Sequence, residues 1–551
     1  MAKFQIEQPY YPIVYVRGYA MTAGEREDVF HDAYYGFAVT SVEKRQAPPP
    51  KQFEADLFEG LLIRLIKDHS YVDSTNKGLT PRQTRERPDE KPINPSRSIW
   101  VSRFYDADYF TQNIRSLEDH ATEVCELISS ARARMEGLGV DTTNFKVILV
   151  AHSMGGLVCR AVIQKSWREY AEQKNKNEKA NIDPDPKNII HRFVTMGTPH
   201  RGIDLGTVPD FVENTIVTKL NPFGSSIFKD ERMREYLDLK ELKNPTKKKS
   251  KTPPAPEDYL YDVHSLGPKV RFPVKRCLCL IGSDWNSYGV VKKLTGGVSD
   301  GLVKQSRAYL VSGPRPDQKL AKGDSTADYA DADRAFWANV HRAHSGYRGI
   351  VNSYESYENI QRFLFGNTIF HIGLENIALN TNRVREDTYI YDFEFILSIR
   401  GTATFLHRRQ QDPCENAHRV KIDQDNPNPP TELFLHTGFM NSDLRLEDDD
   451  PYSYFALRFQ IVERHVKKGW LWDQNYPASV IYSEAMEARI GDEGVEYRWL
   501  SDVSAKTGES WQKAARDGAV FRAAMRPANV FDAELTVRAG KWPDTELTLD
   551  S

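Results

Sequence analysis

Apolar and polar positions follow two textures along the chain. From residue 12 to about 366, short continuous apolar runs alternate with stretches of helical period. The runs Pro12-Ile-Val-Tyr-Val-Arg-Gly18, 98–105, 146–150, 189–196 and 275–281 read as buried strands. Between them, 111–135 places Ile114, Leu117, Ala121, Val124, Cys125 and Ile128 on one helical face. Strands alternating with helices predict a doubly wound, mostly parallel sheet covered on both faces, with its chemistry at the carboxyl ends of the strands. After Phe363-Leu-Phe-Gly-Asn367 the helical period fades, and 389–397, 456–462 and 532–538 alternate with period two. Strands with one buried face predict a separate antiparallel β-sandwich. The expected division is a 1–367 catalytic domain and a 368–551 accessory domain.

Insertions interrupt the first part. Residues 40–97 are rich in Pro, Lys, Arg and Asp and read as a long, poorly packed excursion. Residues 203–258 carry amphipathic stretches at 211–220 and 227–239, followed by a lysine- and proline-rich loop at 241–258. Such an insertion can close over the site as a lid or pack on the sheet as a fixed cap.

One strand ends in a distinctive way. Residues 147–156 read Val-Ile-Leu-Val-Ala-His-Ser-Met-Gly-Gly, an apolar run that breaks into a serine flanked by small residues. A sharp strand-to-helix turn needs small residues two positions either side of the serine, because the backbone leaves no room for side chains there. Here those residues are Ala151 and Gly155. A serine hydroxyl is barely ionised near neutral pH, so Ser153 needs an imidazole, a carboxylate to orient it, and donors for a developing oxyanion. In such sheets the order along the chain is serine, acid, histidine. Asp300, in Val298-Ser-Asp-Gly-Leu-Val303, and Asp284, at the end of the 275–281 strand, are the acids in that order. His344 and His341 are the bases. The backbone N–H of Met154, next after the serine, and that of Tyr19, after the first strand, are the oxyanion donors expected. His200 and His152 read as structural residues that pack near the site.

These segments resemble the α/β-hydrolase superfamily, and within it the serine lipases and esterases that share a domain type with GPI-inositol deacylases. Ala151-His-Ser-Met-Gly-Gly-Leu157 resembles the lipase elbow, in its alanine variant. Met196-Gly-Thr-Pro-His-Arg-Gly-Ile203 resembles the segment after the next strand. Ser299-Asp-Gly-Leu-Val303 and His344-Ser-Gly resemble the segments that supply acid and base, which favours Asp300 and His344. The likeness spans residues 10–366. It departs from the pattern at Arg17-Gly18, where such lipases carry His-Gly. It implies hydrolysis of lipid-like or other hydrophobic esters without a metal or organic cofactor. Acyl transfer with the same residues, or a binding protein on a hydrolase scaffold, are the alternatives.

Charge and composition narrow this further. A net charge of −3 from 74 basic and 77 acidic residues leaves no nucleic-acid footprint. Five cysteines without metal-ligand spacing suit a reducing compartment, and Cys277 and Cys279 share one strand face as small hydrophobes. The acidic runs 324–333 and 448–450 read as solvated loops rather than calcium sites. Without a signal-like apolar region or a membrane-length span, a cytoplasmic protein is expected, with export by a leaderless route also compatible. The lysine run at 247–251 allows peripheral contact with a membrane.

Overall fold

The computed structural model of the protein describes residues 5–18, 40–45, 54–74, 96–102, 115–203, 225–242, 254–255, 258–270, 272–287, 298–316, 329–345, 348–402, 404–445, 447, 450–467, 469, 474–502, 511–525 and 529–543. Two compact units divide it: residues 1–337 with 342–357, and residues 338–341 with 358–551.

Seven strands form one sheet, which lies in the first unit except that its last strand (Phe336–Val340) runs past residue 337, where the division falls. In chain order, with a separate hairpin of β2 (Thr40–Arg45) and β3 (Glu54–Glu59), the strands are β1 (Ile13–Val16), β4 (Val72–Asp73), β5 (Ser98–Ser102), β6 (Val147–His152), β7 (Ile190–Met196), β8 (Cys277–Gly282) and β9 (Phe336–Val340). Their spatial order is β4-β5-β1-β6-β7-β8-β9. The pairs β4–β5, β5–β1, β1–β6, β6–β7 and β7–β8 are parallel. Every residue of β1, β6 and β8 is buried, as expected of strands covered on both faces. The chain leaves β1 on one side, through β4 and β5, and returns as β6 on the other. Sheets of this kind open a crevice at such a reversal, outside the carboxyl ends of the strands. Gly18 follows β1 and Ser153 follows β6, so both lie at that crevice.

Helix α1 (Gly60–His69) precedes β4, and α2 (Leu117–Gly137) precedes β6. A capping box starts α2: the Ser116 hydroxyl accepts from the N–H of Asp119, and the Asp119 carboxylate accepts from the N–H of Ser116. Its buried face carries Leu117, Ala121, Val124, Cys125 and Ile128, as the period predicted, and also Met135, while Ile114 lies outside the described residues. Beyond β6, α3 (Met154–Ala161) runs through one π-helical turn (Val162–Ser166) into α4 (Trp167–Glu178). In the insertion after β7, α5 (Asp230–Tyr236) buries Met233 and Tyr236, and Arg232 pairs with Glu118 of α2 at 2.6 Å. The 211–220 stretch lies outside the described residues, as do most of 241–258 and of the acidic runs.

Within 40–97, the described residues 60–74 are better packed than the composition of the stretch suggests. Leu61, Leu62 and Leu65 of α1 are buried, Tyr71 is buried, and β4 extends the sheet. The prolines and most of the basic residues of this stretch fall in 46–53 and 75–95, and averaging over the whole stretch hid the apolar face between them. The strand β9 is likewise absent from the period-based reading. Its five residues are apolar apart from Asn339, too short a run to separate from a loop.

In the second unit, β10 (Thr368–Leu379), β14 (Leu433–Met440), β20 (Ala515–Asp517), β21 (Val520–Ala524) and β22 (Phe531–Lys541) form one sheet. The other contains β11 (Thr388–Ile399), β12 (Phe405–Arg409), β13 (His418–Ile422), β15 (Ser453–Lys467), β16 (Gln474–Asn475), β17 (Ser479–Gly491), β18 (Gly494–Trp499) and β19 (Gln512–Lys513). Neighbouring strands are antiparallel. Alternate residues Phe455, Leu457, Phe459 and Ile461 of β15 face a core shared with Phe370, Ile372 and Leu374 of β10. Phe370 stacks on Phe455 with centroids 5.0 Å apart, and Phe531 meets Tyr482 at 4.7 Å, so aromatic pairs join the two sheets into a sandwich. No described helix is long and apolar enough to cross a membrane.

Candidate active site

The apex between β6 and α3 is a strained turn. Ser153 has φ 52° and ψ −129°, a conformation that costs a side-chain-bearing residue roughly 1–3 kcal/mol. Its own N–H bonds the carbonyl of Met196 at 2.9 Å, continuing the β6–β7 ladder into the turn. Two residues on, a Cβ at Gly155 would stand 2.3 Å from the carbonyl oxygen of Val16, so this position admits only glycine. Ala151, the small residue on the other side, is fully buried. Met154 opens α3, and the first N–H groups of a helix have no acceptor within it.

The Ser153 Oγ lies 2.9 Å from His344 Nε2, and His344 Nδ1 lies 2.8 Å from Asp300 Oδ2. The Asp300 carboxylate is buried, and its Oδ1 accepts from the N–H groups of Leu302 at 3.0 Å and Val303 at 2.7 Å. A second tie runs along the backbone, where the N–H of His344 donates to the carbonyl of Asp300 at 2.9 Å. The carboxylate can only accept, so the ring proton sits on Nδ1 and the Nε2 lone pair faces the serine. Such an arrangement can take the hydroxyl proton as oxygen attacks a carbonyl. Gly197, at φ 57°, closes the floor: a Cβ there would be 3.0 Å from Asp300 Oδ2 and 3.2 Å from His344 Nδ1.

The structure thus brings Ser153, on the turn after β6, together with Asp300 and His344, from the segments after β8 and β9. Asp284 is used elsewhere. Its Oδ1 accepts from the N–H of Ser287, and its own N–H donates to the carbonyl of Arg342. His341 directly follows β9, three residues before the histidine that meets the serine. Tyr19 lies outside the described residues. Gly18, immediately before it, packs close to Ser153: a Cβ there would be 2.9 Å from that of Ser153.

Two contributors escaped the reading of the sequence. His152 reads as a packing residue, yet its Nε2–H donates to the carbonyl of His344 at 2.9 Å, which ties the His344 backbone to β6. Burial, then the neighbouring His344, holds its pKa well below the usual histidine range, so this ring is neutral. Arg160, seven residues past Ser153, is completely buried and bonds backbone carbonyls around the site. A helical period shows that such a residue faces inward but not what it reaches. The Nε2 of His200 lies 3.1 Å from the hydroxyl of Thr195. The five cysteines are buried and unbridged, and among the described residues no group of three or more His, Cys, Asp or Glu could hold a metal.

Residues 112–219, which contain α2, β6, the turn at Ser153 and β7, match the family described as "Putative serine esterase (DUF676)". No curated protein matches the chain. Among solved structures, the chain is similar to phospholipase PlaB from Legionella pneumophila. The identity is 10% and the TM-score 0.32, with 86% of this chain and 91% of that one covered. The same protein in complex with thio-NAD gives 11% identity and a TM-score of 0.30 over 87% and 89%. "The crystal structure of the putative cell surface hydrolase from Lactobacillus plantarum WCFS1" gives 12% identity and a TM-score of 0.25 over 64% and 89%. The seven-stranded, mostly parallel sheet and the strained serine turn make up an α/β-hydrolase fold, and the segment that carries the serine matches a serine-esterase family.

Proposed function

We propose that the protein hydrolyses carboxylic esters through an acyl-enzyme on Ser153. The observation that carries this reading is the continuous hydrogen-bonded line from the Ser153 hydroxyl through His344 to the buried Asp300 carboxylate. His344 Nε2 takes the serine proton while Oγ bonds to the ester carbonyl carbon. The oxyanion so formed is received by the N–H of Met154, with that of Tyr19 as the second donor. The tetrahedral intermediate collapses, the C–O bond to the alcohol breaks, and His344 returns the proton to the leaving oxygen. Water then enters, gives a proton to His344 and attacks the acyl carbon. Collapse of the second intermediate releases the acid and restores the serine.

Esters of hydrophobic acids are the substrates that the likeness to lipases supports. In this reading residues 1–367 are catalytic and residues 368–551 accessory. The test is turnover of p-nitrophenyl esters from acetyl to palmitoyl by wild type and Ser153→Ala. Turnover by the wild type that the variant lacks is expected, and the preferred chain length separates esterase from lipase. Equal turnover in both proteins would overturn the assignment.

A further inference from the structure

The side chain of Arg160 is a buried cation without a buried anion. Its Nε donates to Gln164 Oε1 at 3.0 Å, its Nη1 to the carbonyl of His200 at 2.9 Å, and its Nη2 to those of Val263 at 2.9 Å and Ser265 at 2.8 Å. All four acceptors are neutral oxygens, and among the described residues no carboxylate pairs with it. Burial draws its pKa down to about 10, which leaves it charged at neutral pH. A buried charge solvated only by carbonyl dipoles is an expensive way to fill space, and a methionine would fill it more cheaply. What the guanidinium adds is geometry: a planar fork that spans several acceptors at once.

Those acceptors belong to separate stretches of chain, and one of them backs the reacting groups. The loop from Gly197 to Gly202 carries the His200 carbonyl at one end and, at the other, the Gly197 backbone packed against Asp300 Oδ2 and His344 Nδ1. In between, Thr198 fills the space beside Gly156 of α3, where a Cβ would come within 2.1 Å of its hydroxyl. Gln164, on the π-helical turn, aims the fork through Nε and reaches on to the carbonyl of Leu237 at 2.9 Å. The helix that starts at the nucleophile is therefore tied by its own side chains to the floor under the acid–base pair.

We propose that Arg160 is a positioning residue for the His344–Asp300 pair, acting through the His200 carbonyl and the loop 197–202. The proposal rests on the ester-hydrolase reading above. Its test is steady-state hydrolysis of p-nitrophenyl butyrate by the full chain, comparing wild type, Arg160→Lys and Gln164→Leu. Active sites are counted with a fluorophosphonate, and folding is followed by circular dichroism. Lysine keeps the charge but cannot span the carbonyls, so kcat per titrated site falls about 100-fold, a loss that a misplacement near 1 Å can cause. KM stays within about threefold, because binding of the short ester is not what the fork serves. A loosened Asp300 contact stabilises the imidazolium less, so the rising limb of the kcat/KM profile moves to lower pH. Gln164→Leu, which leaves the three carbonyl bonds in place, moves kcat and the limb in the same directions by a smaller factor of about 3–10.

A folded Arg160→Lys with wild-type kcat and an unmoved limb, whatever its melting temperature, overturns the proposal. If that variant does not fold, an unchanged kcat and limb in Gln164→Leu overturn it instead. Failure of the hydrolase reading would look different, because the wild type would then show neither turnover nor labelling.

Discussion

Replacing Asp300 by Asn tests the site at its most constrained atom. The two substituted oxygens are not equivalent, because Oδ1 accepts from two buried N–H groups, Leu302 at 3.0 Å and Val303 at 2.7 Å, and Oδ2 faces His344 Nδ1. An asparagine amide must therefore keep its oxygen toward the backbone. Turning it over would set NH2 against two donors and leave both unsatisfied, at roughly 1–3 kcal/mol each or about 2–6 kcal/mol in all. With the oxygen so held, the NH2 donates to His344 Nδ1, and the ring proton moves to Nε2, pointing at Ser153. The base then has no lone pair for the hydroxyl. A wrong tautomer of this kind lowers kcat by about 10⁴, near 5.5 kcal/mol in the barrier. The expected result is a loss of about 10³–10⁴ in kcat for p-nitrophenyl butyrate in a protein whose circular dichroism matches the wild type. A folded Asp300→Asn within tenfold of wild type would refute the reasoning, because the amide orientation and the tautomer both follow from contacts described above.

Other outcomes follow from strain, space and charge. Ser153→Gly should abolish turnover yet melt at a higher temperature than Ser153→Ala, by the equivalent of about 1 kcal/mol, because only glycine relaxes at φ 52°; equal melting temperatures would refute it. Gly155→Ala forces a Cβ to within 2.3 Å of the Val16 oxygen, so the turn must shift. A destabilisation of at least about 1–3 kcal/mol in urea, with loss of turnover, is expected. In the second unit, burial holds the pKa of His407 well below the usual histidine value and that of His436 down to about 3. Each ring is neutral when folded and gains a proton on unfolding below pH 6.5, so stability is lost as the pH falls from 6.5 toward 3, by about 1.4 kcal/mol per ring per pH unit. Urea midpoints of the full chain at pH 7.5 and 5.5 measure this, and His436→Leu should flatten the dependence, whereas an unchanged slope would contradict it.

How far the site could be read from the sequence depended on what each residue does. The turn at Ser153 was legible because β6 is continuously apolar and the turn admits so few residue types at 151 and 155. The choice between Asp300 and Asp284 needed the likeness to lipases. Both acids follow β8, and spacing alone does not say which loop folds back to the serine. In the structure the answer comes from backbone contacts, chiefly the Asp300 carbonyl that accepts from the N–H of His344. Supporting polar residues were less legible still. His152 and Arg160 lie on apolar elements whose period predicts burial and nothing about partners, and those partners come from 192 and up to 105 residues away. The region 40–97 misled because basic and proline-rich flanks masked Leu61, Leu62 and Leu65 between them. In the C-terminal part, alternation sufficed for the sandwich, because one buried face per strand leaves a period of two.

The central claim is that Ser153 is a nucleophile activated by His344. Intact-mass and peptide mass spectrometry after treatment with a fluorophosphonate tests it most directly, on wild type, Ser153→Ala and His344→Ala. One phosphonyl adduct is expected on the peptide that contains Ser153, none in Ser153→Ala, and labelling slowed by several orders of magnitude in His344→Ala. A folded wild type that takes no label, or takes it on another residue, would contradict it.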